Sequence, residues 1–99
     1  KATSVQEATE HREVFSLAPI SPNPVRAQAV VRYELLASQH VRVDLFDNLG
    51  LHVSTLFDGE QSVGSFTIDV PAGNLPSGTY VVQLSANGAR AHQTMVVVK

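Results

Sequence analysis

The chain has no cysteine, no tryptophan and a single methionine, Met95, among its 99 residues. The missing cysteine removes disulfides, thiolate metal sites and thiol nucleophiles together, and leaves the redox compartment open. Charge is scarce as well: 16% of residues are charged, the net charge is −2, and the seven cations are scattered. No basic stripe is available to neutralise phosphates, so no nucleic-acid partner is expected, and an anionic membrane surface is disfavoured for the same reason. Apolar runs stay well short of the ~20 residues a membrane helix requires, which argues against direct membrane insertion. No signal-peptide pattern opens the sequence, so if the protein is exported this stretch is expected to be the downstream part of a longer precursor.

What is present is a 43% apolar composition punctuated by turn residues. A chain of this length forms one domain and buries roughly two thirds of its unfolded surface in a single core. Residues 1–13 are polar, with Glu7, Glu10, His11, Arg12 and Glu13 crowded at their end, and read as a linker or tether to an upstream domain. The domain proper is expected over 14–99.

Val14–Ile20 alternates and then meets Pro19, Pro22 and Pro24. Proline donates nothing to a sheet ladder, so this predicts an edge strand that breaks into an extended kink. Val31, Tyr33 and Leu35 share one face of the next strand, with Arg32 and Glu34 on the other. After a polar turn, Val41, Val43 and Leu45 point inward while Arg42 and Asp44 point out, and antiparallel pairing of these two strands would cover one core face. Asp47-Asn48-Leu49-Gly50 is a turn in which Gly50 supplies positive φ. Leu51–Phe57 alternates less regularly, carries Val53 and Leu56 toward the core, and predicts a bulge or an edge position. Asp58–Ser62 reads as a polar turn, and Phe66, Ile68 and Val70 align on the strand after it, which Pro71 ends.

The last quarter carries the strongest local signal. Asn87-Gly88 lies between two β-rich runs, and a type I′ hairpin turn needs positive φ at both central residues. A two-residue turn sets Tyr80 opposite Met95 and Val82 opposite Gln93, burying Met95 and Val97 and leaving polar Gln93 on the inner face. A three-residue loop would instead bring His92, Thr94, Val96 and Val98 inside, because a slip of one residue turns the whole strand over. The first register is favoured, with Gln93 as its test. About seven short strands at this spacing make an all-β, seven-stranded antiparallel Ig-like β-sandwich.

Chemistry-bearing patterns are absent. None of His11, His40, His52 and His92 has metal-ligand spacing, and no helix face is available to carry one. Asp44, Asp47, Asp58, Glu60 and Asp69 fall at turns or solvent faces, with no cleft that would pair two of them for acid–base work, and Asp58-Gly59-Glu60 is too short for a calcium loop. No serine stands in a nucleophile-elbow context. No catalytic residue, metal or cofactor is expected. With Tyr33 and Tyr80 both facing inward, an aromatic platform for sugar is lacking too.

In order along the chain stand Pro22-Asn23-Pro24, then Phe46-Asp47 with Gly50, then Leu75-Pro76-Ser77-Gly78 with Tyr80, and finally Met95-Val96-Val97-Val98-Lys99. This set resembles the C-terminal sorting domain (type A) of proteins exported by the type IX, or Por, secretion system. Two positions depart from the family's usual pattern: Val25 stands where an aromatic or bulky residue often follows, and Leu51 where a basic residue follows the turn glycine. The resemblance implies a non-catalytic export signal, recognised by the outer-membrane translocon and removed by a sortase. The cargo, an upstream domain of the same precursor and commonly a secreted hydrolase, would cross the periplasm to the cell surface or the extracellular space. It also implies that Pro22, Asn23, Pro24, Gly50, Gly78, Tyr80 and Met95 through Lys99 form the recognised surface. An open Met95–Lys99 edge would accept strand addition there, with the Lys99 charge and carboxylate marking the chain end. Cleavage is expected in or before the 1–13 tether. The alternatives are an Ig-like accessory or carbohydrate-binding module of a secreted glycoside hydrolase, and a structural spacer like that of flagellar hook-capping proteins.

Overall fold

A computed structural model describes residues 15–99, so the tether expected over 1–13 lies outside the described residues. The seven strands are β1 (Phe15–Leu17), β2 (Gln28–Leu35), β3 (Gln39–Asp47), β4 (His52–Gln61), β5 (Gly64–Pro71), β6 (Gly78–Ala86) and β7 (Ala89–Val97). A 3₁₀ turn, Ala72–Asn74, joins β5 to the loop before β6. The strands form two sheets, one ordered β1-β2-β5 and the other β4-β3-β6-β7. All pairings within them are antiparallel. This is the expected Ig-like sandwich.

Alternation builds the core. Ala29, Val31, Tyr33 and Leu35 of one sheet face Val41, Val43, Leu45, Val82, Leu84, Met95 and Val97 of the other, all buried. The strands β2 and β3 do not pair, contrary to expectation: β2 bonds β1 and β5, while β3 bonds β4 and β6. Three residues, Leu36, Ala37 and Ser38, separate them and carry the chain from one layer to the other, so the two apolar faces oppose across the core. Alternation specifies which face of a strand is buried and is silent about its hydrogen-bonded neighbour.

The β3–β4 ladder is irregular, with register shifts between Val43 and Asp44 and between Leu45 and Phe46, and β4 lies at the sheet edge. Both a bulge and an edge position are therefore present. Of the two side chains expected to turn inward there, Leu56 packs against the core, whereas Val53 is 39% exposed. The predicted turn at Asp58–Ser62 starts too early. Asp58 through Gln61 continue β4 opposite Arg42 through Gln39, and the chain reverses at Ser62 and Val63. An edge strand tolerates such polar residues because one side of each is solvated.

The terminal hairpin has the favoured register. Tyr80 is opposite Met95, Val82 opposite Gln93, and Ala86 opposite Ala89. Asn87 and Gly88 adopt φ of 52° and 82°, the two positive values that a type I′ turn demands. Gln93 is accommodated at the margin of the sandwich, where its side-chain amide donates to Leu17 O across the layers at 3.1 Å.

Candidate functional site

The registers sort every loop to one of two poles. Asp47 is opposite Tyr80, Tyr80 opposite Met95 and Gly78 opposite Val97, so the β3–β4 turn, the loop before β6 and the end of β7 share one pole. At the other pole lie the Asn87-Gly88 turn, the Leu36–Ser38 turn and the Ser62-Val63 turn, next to Phe15, which is opposite Leu35.

The first pole gathers all four motif segments. After β1 the chain bridges Ser21 to Val30 in the first sheet, crosses over through Pro22-Asn23-Pro24, and bridges Val25 in parallel to Val97 in the second. This crossing lays a clasp along the outer edge of β7. Asn23 Nδ2 donates to Thr94 O at 3.1 Å, and Val96 N donates to Asn23 Oδ1 at 3.0 Å. Val25 N donates to Val96 O at 2.6 Å, and Val98 N to Val25 O at 2.8 Å. The Asn23 side chain thus stands in for a strand backbone, and Val25 continues the ladder. The prolines suit the role because neither has an N–H to leave unpaired.

The loop before β6 is tied in from the opposite side. Tyr80 Oη donates to Pro76 O at 2.7 Å, the tyrosine corner that braces this crossing in Ig-like sandwiches. Lys99 N donates to Ser77 Oγ at 3.0 Å, and its ammonium donates to Ala72 O at 3.1 Å and to Gly73 O. Gly50 closes the β3–β4 turn with φ 84° and open space around it, so backbone conformation is what calls for glycine there.

The residues expected to be recognised therefore divide by exposure. Pro22, Asn23, Pro24, Gly50, Gly78 and Lys99 are exposed, and Val96 and Val98 are half-buried. Tyr80, Met95 and Val97 are core residues at 6%, 0% and 1% exposure. The open Met95–Lys99 edge expected for strand addition is instead occupied by Asn23 and Val25 from Thr94 to Val98.

Sequence reasoning missed Asp44, which was expected to face solvent and is 5% exposed. Its carboxylate accepts from Arg42 Nε at 2.9 Å and from Thr55 Oγ1 at 2.8 Å, and His52 Nε2 lies 2.9 Å away. Burial pushes the Asp44 carboxyl up; hydrogen bonds from Arg42, His52 and Thr55 with the Arg42 charge outweigh it, leaving the group below the usual carboxylate range. The register shift beside it draws His52 and Thr55 over the carboxylate, and nothing in the local alternation announces that.

Among solved structures, the first Ig domain of mouse SynCAM 2 aligns at 9% identity and TM-score 0.48, covering 87% of this chain and 96% of that one. The alkylpurine DNA glycosylase AlkC of Pseudomonas fluorescens, bound to DNA containing an abasic site analog, aligns at 14% identity and TM-score 0.47, covering 99% of this chain and 36% of that one. A conjugative transposon lipoprotein of Bacteroides eggerthii DSM 20697 aligns at 12% identity and TM-score 0.44, covering 83% and 91% respectively. No curated protein matches. The profile of the family described as "Secretion system C-terminal sorting domain" matches residues 19–99, a span that holds all four motif segments and β2 through β7, and the chain belongs to that type IX secretion family.

Proposed function

We propose that this domain is a non-catalytic address whose terminal pole is read by the outer-membrane translocon and the sortase of the type IX system, delivering an upstream cargo domain to the cell surface. The observation that carries the reading is the convergence of the motif segments. Asn23 and Thr94 are 71 residues apart in sequence and bonded in space, and Ser77 is 22 residues from its partner Lys99. A recognition surface made this way exists only in the folded domain, which suits a signal read after the cargo has reached the periplasm.

Within that surface the exposed groups at Pro22–Pro24, Gly50, Gly78 and Lys99, with the half-buried Val96 and Val98, make contact, while Tyr80, Met95 and Val97 hold the pole in shape from beneath. The carbohydrate-binding alternative is not favoured, since Tyr33 and Tyr80, the chain's two tyrosines, are 3% and 6% exposed and offer no stacking platform.

The test removes Thr94–Lys99 from the full-length precursor in its native host and follows the cargo by fractionation. The expected result is cargo retained in the periplasm. Normal export and surface attachment would refute the role.

A further inference from the structure

Among the described residues the two sheets end in four edge strands, and three of these are blunted. β1 is three residues long and runs into Pro19, and β7 is clasped by Asn23 and Val25 from Thr94 to Val98. β4 is broken by two register shifts and carries Asp58 and Glu60. β5 is different. Its eight residues pair with β2 without a shift, include no lysine, and meet a proline only at the last position, Pro71. An edge of that kind is a template for another strand. The ladder decides which of its groups face outward. Ala72 N donates to Ala27 O at 3.0 Å in the register that sets Gln28 opposite Pro71, so Gly64, Phe66, Ile68 and Val70 exchange bonds with β2. The N–H and C=O of Ser65, Thr67 and Asp69 therefore point to the open edge.

Those three residues are complementary to themselves. Opposed residues must share a face of the sheet, which limits the registers open to a partner strand. A second β5 related by a two-fold axis through Thr67 meets the condition: Thr67 is opposite its own copy, and Ser65 is opposite Asp69 of the copy on either side of it. Each of these pairs exchanges two backbone bonds. On the exposed outer face no two charges meet, and the Ser65 hydroxyl reaches the Asp69 carboxylate across the pair. On the other face Phe66 comes beside Ile68 of the copy, two half-buried side chains that gain apolar cover. We infer that this domain associates with a second copy of itself through β5, joining two β1-β2-β5 sheets into one of six strands. Nothing in this pairing depends on the sorting reading. Because the two β5 strands run in opposite directions, the two terminal poles point opposite ways. One strand pair is smaller than the interface of a stable dimer, so the association is weak, with a Kd of about 100 µM.

The experiment is sedimentation velocity on the purified chain from about 10 µM to about 1 mM, a range in which the wild type is expected to move from monomer toward dimer. Thr67→Pro removes the N–H at the axis, which β2 does not use, and should weaken association about tenfold while the β2–β5 ladder stays folded. Ser65→Asp sets like charges against Asp69 of the copy and should weaken association about fivefold, whereas Ser65→Lys sets opposite charges there and should tighten it by a similar factor. The register has its own test, because the chain has no cysteine. Thr67→Cys brings two thiols onto opposed Cα atoms roughly 5.5 Å apart, within disulfide range, while Ser65→Cys leaves the two Cα atoms roughly 14 Å apart. Oxidation should give a covalent dimer of the first and not of the second. A wild type that stays monomeric throughout the range would overturn the inference. So would a dimer indifferent to all three substitutions, or equal cross-linking of the two cysteine variants.

Discussion

The two poles of the sandwich are built from the same kinds of residue and differ in how they are tied together. At the opposite pole, Asn87-Gly88 closes the β6–β7 ladder, while Leu36–Ser38 and Ser62-Val63 each carry the chain from one sheet to the other within two or three residues. At the terminal pole, Pro22–Val25 clasps β7, Tyr80 reaches back to Pro76, and Lys99 bonds both Ser77 and the 3₁₀ turn. The difference teaches that the motif residues are spaced along the sequence by the topology and joined in space by hydrogen bonds. A separate turn is a local device, whereas the terminal pole requires nearly the whole domain to be folded.

The largest effect should come from the floor of that pole. Met95→Ala removes a fully buried side chain and is expected to cost about 2–5 kcal/mol in denaturant unfolding, with export falling alongside. Tyr80→Phe deletes the bond to Pro76 O while keeping the ring, and is expected to cost about 1–2 kcal/mol. The comparison would break if Tyr80→Phe left both stability and the exchange rates of the Leu75, Ser77 and Gly78 amides unchanged.

Next in size, Asn23→Ala removes two bonds to the β7 edge and should cost about 1 kcal/mol, with the Val96 amide exchanging faster. Gly50→Ala and Gly88→Ala sharpen the contrast, since both glycines have positive φ, 84° and 82°, and open surroundings. Each is expected to lose about 1 kcal/mol, yet only the first should reduce export.

The smallest effect concerns acid. Because the Asp44 carboxyl is held below its ordinary value in the folded state, it contributes stability that is fully present above the unfolded-state pKa and is lost as pH falls through the folded value. Stability should therefore decline below about pH 4, and Asp44→Asn should flatten that decline in a pH series of unfolding curves. His40 shifts the other way: its hydrogen bond to Asp58 at 2.6 Å raises it, so its contribution holds in acid and fades as pH rises through the raised value. Since the pair is exposed, only a small change is expected there.

Much of the fold was legible because it is written locally. The Asn87-Gly88 turn fixed the register of the last two strands, and the Val31-Tyr33-Leu35 and Val41-Val43-Leu45 alternations located the core. Pairing was not legible, since β2 and β3 carry interchangeable patterns and lie in different layers. The same limit hid the clasp: Pro22-Asn23-Pro24 reads as a kink, and nothing near it says that the Asn23 amide will meet Thr94 and Val96. Asp44 was misread because a shifted ladder, not its neighbours in sequence, closes over the carboxylate. Of the residues expected to be recognised, those on the surface and those beneath it look alike in sequence, and only the register of β6 with β7 tells Val96 from Val97.

The most direct measurement compares export of two precursors matched in stability: one carrying Asn23→Ala at the clasp, the other Asn87→Ala at the far turn, where φ is 52°. Each substitution is expected to cost about 1 kcal/mol. Cargo should remain in the periplasm for Asn23→Ala and reach the cell surface for Asn87→Ala. Equal export of the two, at equal stability, would contradict an address located at the terminal pole.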